Sequence, residues 1–313
     1  MAVISKKWLE HFLVVTPPKV RFSSPRSKVR FPGSRRKVHC SSASSKLMEF
    51  PYASAPIKKL MLELLSTVDD KLGSSLHPTS TLPSHLQHFA NSTDTAHASL
   101  HLRSGLPSSQ IDLILGGWIH CKLPSGGALN ITTLSAYLTS STDAPHFLLE
   151  LIQNSPTSLV LILDLMPRKD LILHPKYLKN YYEDTHLDTH RQRLQALPEV
   201  RPYYSPSLYI RAVISPTAIL VTIDTGASQS KSIEQIIEGD ISPIAKDLLH
   251  FWLESCACSA REVDASERAY LAERDRVIKN KTIEVDLGSS LPRLFGQEIA
   301  DGVLDALKEC YNK

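Results

Sequence analysis

"PHFLLELIQNSPTSLVLILDLMPR", residues 145–168, consists of two apolar runs separated by a short polar turn. The turn "NSPTS", residues 154–158, and the Val and Ile content of "LVLILDL" favour an antiparallel hairpin over a helix across 146–153. Side chains alternate along a strand, so Glu150 shares a face with Leu148 and Ile152. A carboxylate in such company is costly to desolvate unless it is paired, hydrogen-bonded or protonated. Glu150 is therefore either an edge-strand acid reaching solvent or an arginine, or a buried group with a chemical task.

Strand-like segments precede the hairpin. "ASLHLR" alternates Ala98, Leu100 and Leu102 against Ser99, His101 and Arg103; "IDLILGGWIHCKL" continues the pattern with a bulge expected at Gly116 and Gly117; "ALNIT" follows. Before them, Ser54 and Pro56 open a helix whose Ile57, Leu60, Met61, Leu64, Leu65, Val68 and Leu72 recur at helical spacing. The polar, turn-rich residues 76–95 read as a covering loop. After the hairpin come a helix from Tyr177 to Leu194, two strands in "SLYIRAVI" and "AILVTID", and an amphipathic helix opened by Ser242 and Pro243. The charged stretch from Arg261 to Lys281 reads as a helix with a solvated face, and a last helix turns Ile299, Val303, Leu307 and Cys310 inward. This order predicts an α+β fold: an α/β/α sandwich whose central antiparallel sheet is covered by helices on both faces. No internal repeat or linker divides the chain, so residues 47–313 form one domain.

Charge is distributed unevenly. Net charge is +3 over 313 residues, but the first 46 carry eleven Lys and Arg against one acid, Glu10, leaving 24 basic and 31 acidic residues and a charge of −7 on the remainder. The Ser- and Arg-rich, acid-poor front has the composition of a plastid transit peptide, with cleavage expected near Cys40; the alternative is a basic tail that binds nucleic acid. No apolar run is long enough to span a bilayer, since the run from Leu159 is stopped by Asp164 and Arg168. Five cysteines without paired spacing, Cys40, Cys121, Cys256, Cys258 and Cys310, describe neither a disulfide framework nor a zinc ribbon.

Familiar chemical signatures are missing. There is no G-x-G-x-x-G, no G-x-x-x-x-G-K-[ST] and no G-x-S-x-G in the sequence. His186 and His190 lie four apart, but Leu187 stands where a zinc protease needs its glutamate, so no metal is expected. His120 reads as a hydrogen-bonded, half-buried histidine, with ligand contact as the alternative.

Several long strings go further: "GGWIHCKLPSG", "FLLELIQNSPTSLVLILDLMPRKDL", "YYEDTHLDTHRQ", "LPEVRPYYSPSLYIRAVISPTA" and "LPRLFGQE". From Met48 onward the chain resembles the red chlorophyll catabolite reductases of plants. That resemblance implies reduction of red chlorophyll catabolite, an open-chain tetrapyrrole, to the primary fluorescent chlorophyll catabolite. It also implies electrons from reduced ferredoxin, no bound cofactor, and a fold similar to ferredoxin-dependent bilin reductases. The chloroplast stroma is the implied location, with the mitochondrion as a second destination. A homodimer and contact with other chlorophyll-breakdown enzymes are implied as partners, with no nucleic acid and no membrane span.

With no cofactor, the protein must itself supply protons to particular carbons, and a carboxyl in an apolar pocket stays protonated enough to do so. The family's acidic pair maps onto Glu150 and onto Asp286 in "TIEVDLGSSLPRLFG"; the bland reading of Asp286 is a loop or helix-cap acid. Tyr203, Tyr204 and Ser205 in "PYYSPS" are implied pigment contacts, against turn and core packing as the alternative. Ile214 occupies the position bearing on product configuration. Ferredoxin is acidic, so docking calls for a basic surface, with Arg168, Lys169, Lys176, Lys179, Arg191, Arg193, Arg276, Lys279 and Lys281 as candidates. A tetrapyrrole carrier without turnover, or a plain interaction module, are the competing functions.

Overall fold

The computed structural model describes residues 48–124, 126–226, 230–259 and 263–312; the expected targeting segment and Cys40 lie outside them. Among these residues eight strands form one antiparallel sheet: β1 (His88–Ala90), β2 (Ala96–Ser104), β3 (Ile111–Lys122), β4 (Ala128–Leu138), β5 (His146–Ser155), β6 (Ser158–Met166), β7 (Val200–Pro202) and β8 (Ile219–Asp224). Strand order is β1-β2-β3-β4-β5-β6-β8-β7, so the chain meanders through six neighbours before β8 docks on β6 and β7 closes the edge. The described helices are α1 (Ala55–Leu72), α2 (Ser84–Gln87), α3 (Pro175–Leu178), α4 (Leu187–Gln195), α5 (Leu208–Val213), α6 (Ile233–Ile236), α7 (Ser242–Trp252), α8 (Ala265–Thr282), α9 (Gly288–Phe295) and α10 (Gln297–Tyr311).

The decisive hairpin is β5–β6, with Glu150 opposite Ile162 and Leu148 opposite Asp164. Its alternation sorts side chains into two cores. Phe147, Leu149, Leu151, Leu161, Leu163 and Leu165 pack with α1 and α7 on one face; Leu148, Ile152, Val160, Ile162 and Met166 pack with α9 and α10 on the other. Trp252 of α7 is fully buried and donates its indole N–H to the Pro145 carbonyl at 3.0 Å, fixing that helix to the start of β5. Burial of each such large apolar side chain contributes roughly 1.5–3 kcal/mol. The expected sandwich, covered on both faces, is the observed one.

Four local expectations need correction. Residues 76–95 are not all loop, because α2 forms there and β1 pairs with β2, seating Leu82, Leu86 and Phe89 in the second core. Gly116 and Gly117 do not bulge: register runs unbroken through both, and the irregularity lies at Ile111/Leu113. Gly117 is needed for close packing instead, since a Cβ there would meet Leu100 Cδ2 at 2.9 Å. The helix expected from Tyr177 to Leu194 is two helices, α3 and α4, joined through a wide turn at Lys179–Glu183. Finally, "SLYIRAVI" is α5 rather than a strand. β8, the next strand in the chain, is already flanked by β6 and β7, which leaves that segment no place beside it. The Ser207 hydroxyl caps the helix instead, accepting the Ile210 N–H at 3.4 Å.

Candidate functional site

Glu150 lies in the middle of β5, 2% exposed, on the face closed by α9 and α10. Register places a continuous row beside it: Leu100, Gly117 and Thr133 on one side, Ile162 and Leu220 on the other. The backbone of Tyr203 extends this row, its N–H donating to the Leu220 carbonyl at 2.9 Å, and its half-buried ring packs on the same core. The edge-strand alternative for Glu150 therefore fails, because the residue sits between two paired strands and away from solvent.

The other predicted residues divide into those brought to this face and those that are not. The backbone of Asp286 belongs to a wide helical turn, Ile283–Leu287, that joins α8 to α9, rather than to a loop. Ile283 and Leu287 are buried in the Glu150 core, which brings the segment over the sheet; the Asp286 side chain lies outside the described residues. Ile214 ends α5 in extended conformation and is half-buried against the same core. Ser205 is buried and its hydroxyl accepts the Ser207 N–H at 3.3 Å. Tyr204 points outward, 78% exposed.

A second buried carboxyl belongs to this face. Asp164 alternates with Ile162 and Met166 on β6 and is 2% exposed. Burial pushes its carboxyl up to about 6, although hydrogen bonds from Ser215 pull the other way. Ser215 donates its backbone N–H to Oδ2 at 2.9 Å and its hydroxyl to Oδ1 at 2.5 Å. In the sequence Asp164 figured only as the residue that stops an apolar run. The signal was nonetheless present, since an acid two places from Ile162 in a strand must share its face.

The end of the hairpin holds a polar cluster of a different kind. Arg168, fully buried, pairs with Asp275 of α8 and donates to the Thr142 and Thr139 carbonyls at 2.5 and 3.1 Å. His146 meets the same carboxylate at 3.0 Å. Burial pushes the Asp275 carboxyl up, but His146 and Arg168 outweigh it and hold it at about 2. This burial removes Arg168 from the docking candidates, and Lys279, 8% exposed and bound to Asp112, goes with it. Lys169 is tied to Asp143 and Glu267. Lys179, Arg191, Arg276 and Lys281 each pair with a nearby acid, exposed Arg193 lies 3.8 Å from Asp240, and Lys176 is exposed.

Other sequence readings resolve simply. His120 is 8% exposed, hydrogen-bonded through Nδ1 to Asn130 at 2.7 Å and stacked under Tyr52 at 3.9 Å. His190 faces Asp247 at 3.6 Å. Among the described residues no group of three His, Cys, Asp or Glu is placed to hold a metal, and no helix is long and apolar enough to cross a membrane.

The fold is shared with tomato phytochromobilin synthase, solved in complex with biliverdin, at a TM-score of 0.61 and 20% identity over 82% of this chain and 84% of that one. At that identity the likeness is one of fold. Sequence relatives lie nearer. "Red chlorophyll catabolite reductase, chloroplastic" of Arabidopsis thaliana is 51% identical over 85% of this chain and 83% of its own length. "Red chlorophyll catabolite reductase 1, chloroplastic" of Oryza sativa is 44% identical over 79% and 75%. The family described as "Red chlorophyll catabolite reductase (RCC reductase)" matches residues 56–309, and with the fold and these relatives the chain belongs to that family.

Proposed function

We propose that the protein acts in chlorophyll breakdown as a chloroplast tetrapyrrole reductase, converting red chlorophyll catabolite to the primary fluorescent chlorophyll catabolite with electrons from reduced ferredoxin and no bound cofactor. The observation that carries this reading is Glu150, buried at the centre of the sheet in a chain half identical to a protein named for that reaction. Saturating one double bond of the pigment takes two electrons, from two reduced ferredoxins that leave oxidised, and two protons. Glu150, on the face it shares with Leu148 and Ile152 and opposite Ile162, is the first proton holder. Asp286, in the turn that closes over the same core, is the second proton holder.

Tyr203 offers a ring to the flat pigment, Tyr204 and Ser205 line its entry, and Ile214 forms the wall that bears on product configuration. Residues 1–46 act as the plastid transit peptide, in keeping with the chloroplastic names of the relatives, and deliver residues 47–313 to the stroma as one domain that dimerises. Arg201 and Arg211, exposed and without an ion pair among the described residues, flank Tyr203, Tyr204 and Ile214 in sequence and supply basic surface for an acidic donor.

The test is anaerobic turnover of red chlorophyll catabolite with reduced ferredoxin, comparing wild type with Glu150→Gln and Asp286→Asn. Fluorescent product from the wild type and a loss of about 10²–10⁴ in kcat in the variants, with pigment still bound, is the expected result. Pigment binding without product from the wild type would identify a carrier instead.

A further inference from the structure

We infer that Asp164 is a positioning residue for product stereochemistry: through Ser215 it locks Ile214 to the same hairpin that carries Glu150. The inference rests on reading this face of the sheet as the pigment site.

The argument begins with the sheet. β6 pairs with β8 only as far as Leu163 opposite Ile219, so the inward side chain of Asp164 lies one residue beyond the partner strand. There it meets the loop from Ile214 to Ala218 instead of a strand. Both carboxyl oxygens are used on one residue of that loop, Oδ2 by the Ser215 N–H and Oδ1 by its hydroxyl. The loop is then closed on itself: the Thr217 N–H donates to Ser215 Oγ at 3.2 Å, and the Ala218 N–H to the Ser215 carbonyl at 3.3 Å. Ile214 directly precedes the clamped residue and is held from the other side by its N–H on the Ile210 carbonyl at 3.3 Å.

Glu150 stands opposite Ile162, and Asp164 is two places further along β6 on the same face. In an antiparallel pair such diagonal neighbours lie roughly 7–8 Å apart. One hairpin therefore carries the proposed proton donor on its first strand and anchors the aliphatic wall from its second. Delivery of hydrogen to one face of a flat pigment requires that donor and wall keep their separation to about 0.5 Å, which a shared rigid element provides and an unsupported loop does not.

An apolar residue would fill this site at less desolvation cost than a buried carboxyl. What an apolar residue cannot supply is a two-point, directional attachment. The attachment also survives a change of protonation, since a neutral Asp164 still accepts the Ser215 N–H while its own proton bonds Ser215 Oγ.

This separates positioning from proton donation. In Asp164→Asn the amide oxygen accepts the Ser215 N–H and the amide nitrogen donates to Ser215 Oγ, so the clamp persists without an acid. Asp164→Leu keeps the branching and the number of side-chain heavy atoms and removes both bonds, and Ser215→Ala removes one. The full chain and these variants are assayed with pigment and reduced ferredoxin, and the two product epimers are separated by chiral chromatography. Expected are a wild-type epimer ratio and kcat in Asp164→Asn and a fall in the ratio of about tenfold in Asp164→Leu, equivalent to about 1.4 kcal/mol of lost discrimination. Ser215→Ala should show a smaller fall in the same direction, and it decides the matter if the leucine variant is insoluble. An unchanged ratio in Ser215→Ala and in any soluble Asp164→Leu overturns the inference, as does a loss of turnover in Asp164→Asn. Absence of product from the wild type would instead overturn the reading of the site itself.

Discussion

His146 shows how a single buried residue couples this fold to pH. Its Nδ1 accepts the Leu138 N–H at 3.1 Å, so the ring proton sits on Nε2 and faces Asp275 at 3.0 Å. Arg168 already neutralises that carboxylate, and the histidine is held in its neutral form. Burial lowers its pKa, Asp275 opposes and Arg168 assists, and the net position is about 4. Below about 6.5 the unfolded chain binds a proton that the folded chain refuses, so this residue's contribution is lost as pH falls from about 6.5 to 4, on the order of 3 kcal/mol. Asp164 works in the opposite sense. Its folded pKa lies above the unfolded value, so its contribution is present at low pH and is lost as pH rises from about 4 to 6. The wild-type slope is the difference between the two. Urea unfolding at pH 6.5 and 4.5 should show a smaller acid loss in His146→Asn than in wild type, whatever the variant's absolute stability. An equal loss in both would remove His146 as a source of the acid sensitivity.

At the scale of elements, α8 is the instructive case. Its sequence, "ASERAYLAERDRVIKNKT", lacks a broad apolar stripe and reads as solvated, yet Asp275 and Lys279 are buried beneath it. Ion pairs dock this helix: Asp275 to Arg168, Lys279 to Asp112, and Glu267 to Lys169. Since α8 leads through the wide turn into α9, the same pairs set where Asp286 begins. Arg168→Met should cost about 3–5 kcal/mol in urea unfolding, because it strands a buried carboxylate. Glu273→Gln breaks the exposed pair with Arg276 and should leave the midpoint unchanged. A cost for Glu273→Gln as large as that for Arg168→Met would mean that surface charge, not the buried pair, holds the helix. The α5 misreading has a related cause. β-branched content suggested a strand, but strand formation needs a partner edge, and both edges of β8 are occupied.

For the whole molecule, the sheet ends in two three-residue strands, β1 and β7, the latter finishing at Pro202. Short edges of this kind discourage pairing with other chains. Charge acts at the same scale. With the region after residue 46 at −7, the acidic donor proposed above would meet a local basic area rather than a general attraction. Reversal of Arg201 and Arg211 to Glu should raise the KM for ferredoxin several-fold at low salt and leave pigment affinity unchanged, with the difference shrinking as salt rises. Equal KM values at low salt would move docking to another face.

Alternation and apolar spacing are local properties, and they sufficed for α1, the β5–β6 hairpin, the covered antiparallel sheet and the face on which Glu150 lies. Long strings resembling a known family also singled out Glu150, Asp286 and Ile214 as expected site positions, without reference to space. What they could not contain were facts that arise only when distant segments meet. Whether Arg168 is a docking residue or a buried anchor depends on Asp275, 107 residues away. The importance of Asp164 depends on Ser215, 51 residues away, reaching the end of a strand that has run out of partner. A residue's pattern in sequence decides which way it points, whereas the cost of burying its charge and the group that meets that cost are decided by packing.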